Sequence, residues 1–259
     1  MGRRLIALGH ADPEISLVAA IERAGADVLG QDAGVLAGVG EIGLRLAPDW
    51  PRRADAVIDF SVPEAVEGVV AKCLEHKLPL VLATTGFGPE VAEQIHAASN
   101  QLPVCWAPSM SMTVNLTMKL VEIAGRALRD HPSGADVEII ERHHRFKEDS
   151  PSGTALAFGR IVADAMGQTT SAHGREGRPG ARPHHEIGYH AVRTGDNPGE
   201  HTIIFGLLGE TLELRVAASN RDCYAQGALV AARWLQGKPA GLYDMQDVLG
   251  LKSSVVGDR

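Results

Sequence analysis

Between Ala56 and Ala83 two short apolar runs, Ala56-Val-Ile-Asp-Phe60 and Leu80-Val-Leu-Ala83, flank a segment from Pro63 to His76. In that segment Ala65, Val66, Val69, Val70, Cys73 and Leu74 recur at helical spacing. Strand, helix and strand at this interval argue for a parallel, doubly wound sheet. Ligands of such sheets sit beyond the carboxyl ends of the strands. That rule singles out two turns, Ala83-Thr-Thr-Gly86 and Ala107-Pro-Ser-Met-Ser111, although most such turns are simple connections.

The second half changes pattern. Glu186 to Val192, His201 to Gly206 and Thr211 to Ala217 read as successive strands, with Leu207 to Glu210 as the turn between the last two. With a strand at Val137 to Ile140 they make an open mixed sheet with helices on one face, an α+β domain. Val114 to Leu128 reads as a long helix, with Leu116, Leu120, Val121 and Ile123 apolar. Residues 168 to 185 read as a loop, whose Arg175, Arg178 and Arg182 reach a substrate or a neighbouring subunit, or are simply solvated. Asp222 to Leu235 is a final helix.

The chemistry concentrates at residues 138 to 155, where an apolar strand runs into a charged turn and then a helix. Ala155, Phe158, Ile161, Val162 and Met166 mark that helix, and Ser152 is placed as its N-cap, with Gly153 and Thr154 in the first turn. Such a start presents unpaired backbone N–H groups and the positive end of the helix dipole, which suits a carboxylate. His143, His144, Arg145 and Lys147 precede it and bring positive charge and exchangeable protons. Adjacent histidines in a loop are also commonly structural. Zinc is disfavoured, because the pair lacks i, i+4 spacing and no cysteine is near in sequence.

Glu-x-His-His-x-x-Lys-x-Asp-x-Pro-Ser-Gly-Thr-Ala, from Glu141 to Ala155, resembles the signature of the dihydrodipicolinate reductase family of lysine biosynthesis. Ser150 stands where the family usually has Ala. The resemblance implies a Rossmann-like dinucleotide domain with a substrate and tetramerisation domain, here 1–113 completed by 222–259, and 114–221. It implies an oxidoreductase using NADH or NADPH on a small ring dicarboxylate. Lys147 would be the proton donor with His143 as its acid/base partner, and His144, Ser152, Gly153 and Thr154 would bind substrate. It further implies a homotetramer joined through the mixed sheet, and Gly241 to Leu249 resembles the family's closing segment.

For the cofactor, the resemblance points to the turns already singled out: Ala83, Thr84 and Thr85, with Ala83 in place of a family glycine and requiring a negative φ. It also points to Ala107, Pro108, Ser109 and Met110, where Ser109 and Met110 replace Asn and Phe. Glu22 and Arg23 follow an expected buried strand, Ser16 to Ile21, where an acid meets ribose hydroxyls and an arginine meets a 2′-phosphate; on position alone, without the resemblance, a solvated pair is the favoured reading. Met1 and Gly2 match only the tail of the family's glycine-rich loop. They open an expected helix with Leu5, Ile6 and Leu8 inward, so the expectation is either that the true start lies upstream or that this chain lacks the first strand and most of the phosphate cradle. Asp32-Ala-Gly34 resembles a family turn in an otherwise uninformative stretch, 25–53.

The formal net charge of −7 argues against nucleic-acid or anionic-membrane partners, so an anion site must be a local concentration of positive charge. Cys73, Cys105 and Cys223 are scattered and odd in number, which favours reduced thiols and a cytoplasmic location. No run is long and apolar enough to span a membrane. Rival readings are a related two-domain dehydrogenase of another amino-acid precursor, and a non-catalytic tetramer that has lost cofactor binding.

Overall fold

The computed structural model describes residues 1–252, and the chain splits into two compact units, Met1–Met112 with the segment from Arg221 onward, and Thr113–Asn220. Residues 253–259, the end of the segment 222–259 expected to complete the dinucleotide domain, lie outside the described residues.

The first unit contains α1 (Gly2–Ala11), β1 (Ala20–Ile21), α2 (Ala33–Ala37), β2 (Leu46–Ala47) and β3 (Val57–Asp59). A 3-10 turn at Pro63–Ala65 then leads into α3 (Val66–His76), followed by β4 (Leu80–Leu82), α4 (Pro89–Ser99) and β5 (Pro103–Trp106). The second unit runs through α5 (Met112–Leu128), β6 (Asp136–His143), α6 (Gly153–Met166), β7 (Thr170–His173), β8 (Glu186–Arg193), β9 (Glu200–Leu207) and β10 (Glu210–Ala217). The chain returns to the first unit with α7 (Asp222–Leu235), β11 (Gly241–Tyr243) and α8 (Met245–Val248).

The first unit is built on a parallel sheet in the order β11-β5-β4-β3. Period-2 alternation divides its strands between two cores. Leu80, Leu82 and Val104 face Val66, Val70 and Cys73 of α3 and Ile95 and Ala98 of α4. Val81 and Cys105 face Ala228, Ala231 and Leu235 of α7. Helices on both faces make this the expected doubly wound arrangement. Gly227 is what lets α7 close in: a Cβ there would lie 1.7 Å from the backbone oxygen of Met110.

The expected buried strand from Ser16 to Ile21 is not formed. Only Ala20 and Ile21 pair, with β2, in a separate two-stranded sheet. Val18 is 55% exposed, because a ladder this short has no second neighbour to cover its side chains. In α1 the buried residues are Ala7 and Gly9, while Leu5, Ile6 and Leu8 are half-buried. The glycine-rich stretch acquires order from Asp32, whose carboxylate accepts the backbone N–H groups of Gly34 and Val35 as the N-cap of α2 and also those of Ile42 and Gly43.

The second unit is a mixed sheet in the order β10-β9-β6-β8-β7, with β6 central, parallel to β8 and antiparallel to β9. Val137, Ile139, Ile187, Ile203 and Phe205 pack on Val114, Met118 and Val121 of α5 and on Phe158 and Val162 of α6. On α5, Leu116, Leu120 and Ile123 lie away from this core and are exposed. The stretch expected as a loop contains β7, which completes the sheet edge beside β8. Arg175 and Arg182 bind Glu138 on the sheet's other face, so their charge is spent on β6.

Candidate active site

β6 extends further than its apolar residues suggest. As the central strand it pairs on both sides, through Arg142 with Glu200 and through His143 with Arg193. His143 is therefore its last residue rather than part of the turn. The alternation that buries Val137 and Ile139 carries Glu141 and His143 onto the same inner face, where Glu141 is 1% exposed.

A buried carboxylate must be paired or hydrogen-bonded. Glu141 Oε1 accepts Arg193 Nη2 at 2.7 Å and the Ser152 backbone N–H at 3.1 Å. Its Oε2 accepts Arg193 Nη1 at 2.8 Å and His143 Nδ1 at 2.5 Å. Burial by itself would raise the Glu141 pKa, but these donors outweigh it and hold the carboxyl below its ordinary range. His143 is lowered from its ordinary value by burial, with Glu141 pulling the other way and Lys147 and Arg193 adding to the drop.

Ser152 caps α6 through the Ala155 N–H, and its hydroxyl also meets His201 Nε2 at 3.1 Å. Ser152 is 2% exposed, so it organises the helix start from within and leaves Gly153 and Thr154 at the surface end. A Cβ on Gly153 would meet nothing within 4 Å, which keeps the approach to these N–H groups open. Lys147 stands in the preceding turn, ion-paired with Asp149 at 2.7 Å. His144 is half-buried, and its Nδ1 has no hydrogen-bond partner. His201 is buried edge-to-face against His143 at 5.2 Å, and burial followed by the charge of His143 pushes its pKa down to about 4.

Sequence reasoning missed Arg193 and His201 and gave Glu141 no role. Glu141 had a readable signal, a charge in register with Val137 and Ile139. Arg193 and His201 had none, since they reach the site from strands about fifty positions along the chain, at separations of 52 and 49 residues.

In the first unit, Glu22 and Arg23 follow β1, Ala83 to Thr85 follow β4, and Ala107 to Met110 follow β5, all beyond the carboxyl ends of parallel strands. Thr85 and Pro108 are exposed and Ser109 half-buried. Thr84 is buried and its hydroxyl donates to Asp59 at the end of β3, tying two strand ends together. Lys77 is the one non-glycine residue with positive φ among the described residues, so Ala83 meets the requirement its glycine substitution imposes. Ala107 and Met110 are buried, each 1% exposed. Met1 is the N-cap of α1 without a side-chain cap bond, and nothing lies within 4 Å of a Cβ on Gly2, so this helix start is open.

Two family models cover these units: that for the N-terminal part of dihydrodipicolinate reductase matches residues 1–110, and that for the C-terminal part matches residues 113–249. The chain belongs to the dihydrodipicolinate reductase family. Among family members it is 56% identical to the 4-hydroxy-tetrahydrodipicolinate reductase of Rhodopirellula baltica, across 98% of this chain and 94% of that one. It is 48% identical to the reductase of Alkalilimnicola ehrlichii, across 97% and 95%. Among solved structures, the dipicolinate-bound dihydrodipicolinate reductase from Paenisporosarcina sp. TG-14 shares the fold with a TM-score of 0.70 at 22% identity, covering 95% of this chain and 94% of that one.

Proposed function

We infer that this family member is an NAD(P)H-dependent 4-hydroxy-tetrahydrodipicolinate reductase of the diaminopimelate route to lysine. The observation that carries the reading is that Glu141 bonds both His143 and the Ser152 N–H at the start of α6, with Lys147 near enough for its charge to act on His143 and the Gly153 end of the helix open. Relatives about half identical over nearly the whole chain carry that name, which weighs against the non-catalytic alternative.

In this reading the first unit holds the cofactor. Glu22 and Arg23 suit the adenosine ribose or a 2′-phosphate, the open start of α1 suits phosphate, and the turns at 83–85 and 107–110 suit the nicotinamide end. When bound, the reduced nicotinamide supplies a hydride to the substrate ring. The second unit holds the substrate: the Gly153 and Thr154 N–H groups and His144 bind its carboxylates by charge-assisted hydrogen bonds. The solved relative's ligand, dipicolinate, is a flat ring dicarboxylate of the kind such a helix start suits. Lys147 donates the proton that balances the hydride, while Asp149 keeps its ammonium beside the turn until substrate displaces it. His143 exchanges protons with Lys147 and supports departure of the substrate hydroxyl as water. The mixed sheet joins four copies through its open face, and the enzyme works in the cytoplasm. No helix among the described residues is long and apolar enough to cross a membrane.

The test is oxidation of NADH and NADPH by the purified chain, with substrate generated in situ from pyruvate and aspartate semialdehyde. Substrate-dependent oxidation is expected, and Lys147→Ala is expected to cut turnover on the order of a hundredfold while changing substrate affinity far less. Full turnover in Lys147→Ala would remove Lys147 as the donor.

A further inference from the structure

Glu141 occupies a position on the inner face of β6 that Val137 and Ile139 fill with aliphatic side chains. A charged group there carries a large desolvation cost, and an apolar residue would serve packing as well or better. What the carboxylate adds is direction. Arg193 grips both oxygens from β8, and the Ser152 N–H at the start of α6 adds a third anchor. With Arg193 also donating to the Asp149 carbonyl, the carboxylate is fixed against two strands, the turn and the helix start. An ionised carboxylate has no proton to give, so the proton in its contact with His143 belongs to Nδ1.

We propose that Glu141 is the positioning residue for His143: held by Arg193, it keeps a proton on Nδ1, fixes the ring plane and leaves Nε2 as the nitrogen that exchanges protons at the substrate site. The proposal rests on the reading of His143 as an acid/base group. It assigns the Arg193–Glu141 pair a task beyond joining β6, β8 and α6.

The groups around the imidazole favour this division of labour. Glu141 faces it from its own strand, Arg193 from β8, and Lys147 from the turn, with Asp149 paired to Lys147. His201 presents a ring edge from β9 and stays neutral near pH 7, while Glu200 on the same strand bonds to Arg142 and Arg215. Glu141 is thus the one anion in direct contact with the His143 ring among the described residues. Removing its charge takes away the anion in contact with the ring and leaves the nearby Arg193 without its partner carboxylate, so the imidazolium becomes harder to form.

The experiment uses the full chain with histidine labelled in nitrogen-15, the His143 signals being assigned by their loss in His143→Gln. Wild type is expected to show the Nδ1–H tautomer above the His143 pKa. In Glu141→Gln the His143 titration is expected to move to lower pH, and the corresponding limb of the kcat profile to follow it. Turnover should drop on the order of a hundredfold with little change in KM. Glu141→Asp, which keeps the charge, should restore the limb and part of the turnover. An Nε2–H tautomer in wild type overturns the proposal even if Glu141→Gln does not fold. A folded Glu141→Gln with unchanged limb and turnover overturns it as well. If His143→Gln itself retains full turnover, the acid/base reading falls and the positioning task with it; loss in His143→Gln with none in Glu141→Gln overturns the positioning task alone.

Discussion

His201 sits at 5% exposure between Ser152, Phe158 and His143, and among the described residues no carboxylate hydrogen-bonds its ring. Its pKa of about 4 lies below the ordinary 6.5, so between those values an unfolded chain binds a proton that the folded one refuses. Stability from this residue is therefore complete above pH 6.5 and is lost as pH falls toward 4, by about 3 kcal/mol at the low end. The lowered pKa of His143 acts in the same direction. Melting temperature should fall on acidification through this window, and His201→Gln, which can still bond Ser152, should flatten the fall. A His201→Gln curve parallel to wild type would place the acid sensitivity elsewhere.

Close approach between elements is set by a few glycines, and the structure separates those that matter from those that do not. Gly227 of α7 lies against the Met110 backbone, and a Cβ 1.7 Å from a carbonyl oxygen has no side chain to push aside. Gly227→Ala should therefore force α7 off the 107–112 segment and cost about 1–3 kcal/mol, read as a lower melting temperature. Gly68, in the first turn of α3, is exposed, and a Cβ there meets nothing within 4 Å. Gly68→Ala should stabilise by about 1 kcal/mol through helix propensity alone. If both substitutions shift the melting temperature equally, packing at Gly227 is not what distinguishes them.

On the molecular scale, the second unit covers one face of its sheet with α5 and α6, and among the described residues of that unit no helix covers the other. That open face carries Ile140 and Val192, 37% and 42% exposed, beside charges already paired with one another, such as Arg142 and Arg215 on Glu200. Apolar residues next to internally neutralised charges suit a self-complementary contact. Wild type is therefore expected to run as a tetramer in light scattering, and the double substitution Ile140→Lys and Val192→Lys to lower the mass without unfolding the chain. An unchanged mass would remove this face as the joining surface.

Local spacing in the chain was enough for the alternating strands and helices, for the Ser152 cap of α6 and for the family. Each depends on residues within a turn or two of one another, or on a contiguous motif. What spacing could not carry is register and neighbourhood. β6 reaches His143 because β8 and β9 flank it, and β1 shrinks to Ala20 and Ile21 because only β2 does. The same helical periodicity that marks α5 does not say that Leu116, Leu120 and Ile123 face away from the core. Arg175 and Arg182 turn to Glu138, Met110 sinks into the first unit, and Glu141 gathers Arg193 and His143, because desolvated charge and apolar surface are satisfied by whatever the folded chain brings near. Those partners lie tens of residues apart, and their meeting is a property of tertiary packing rather than of the sequence around any one of them.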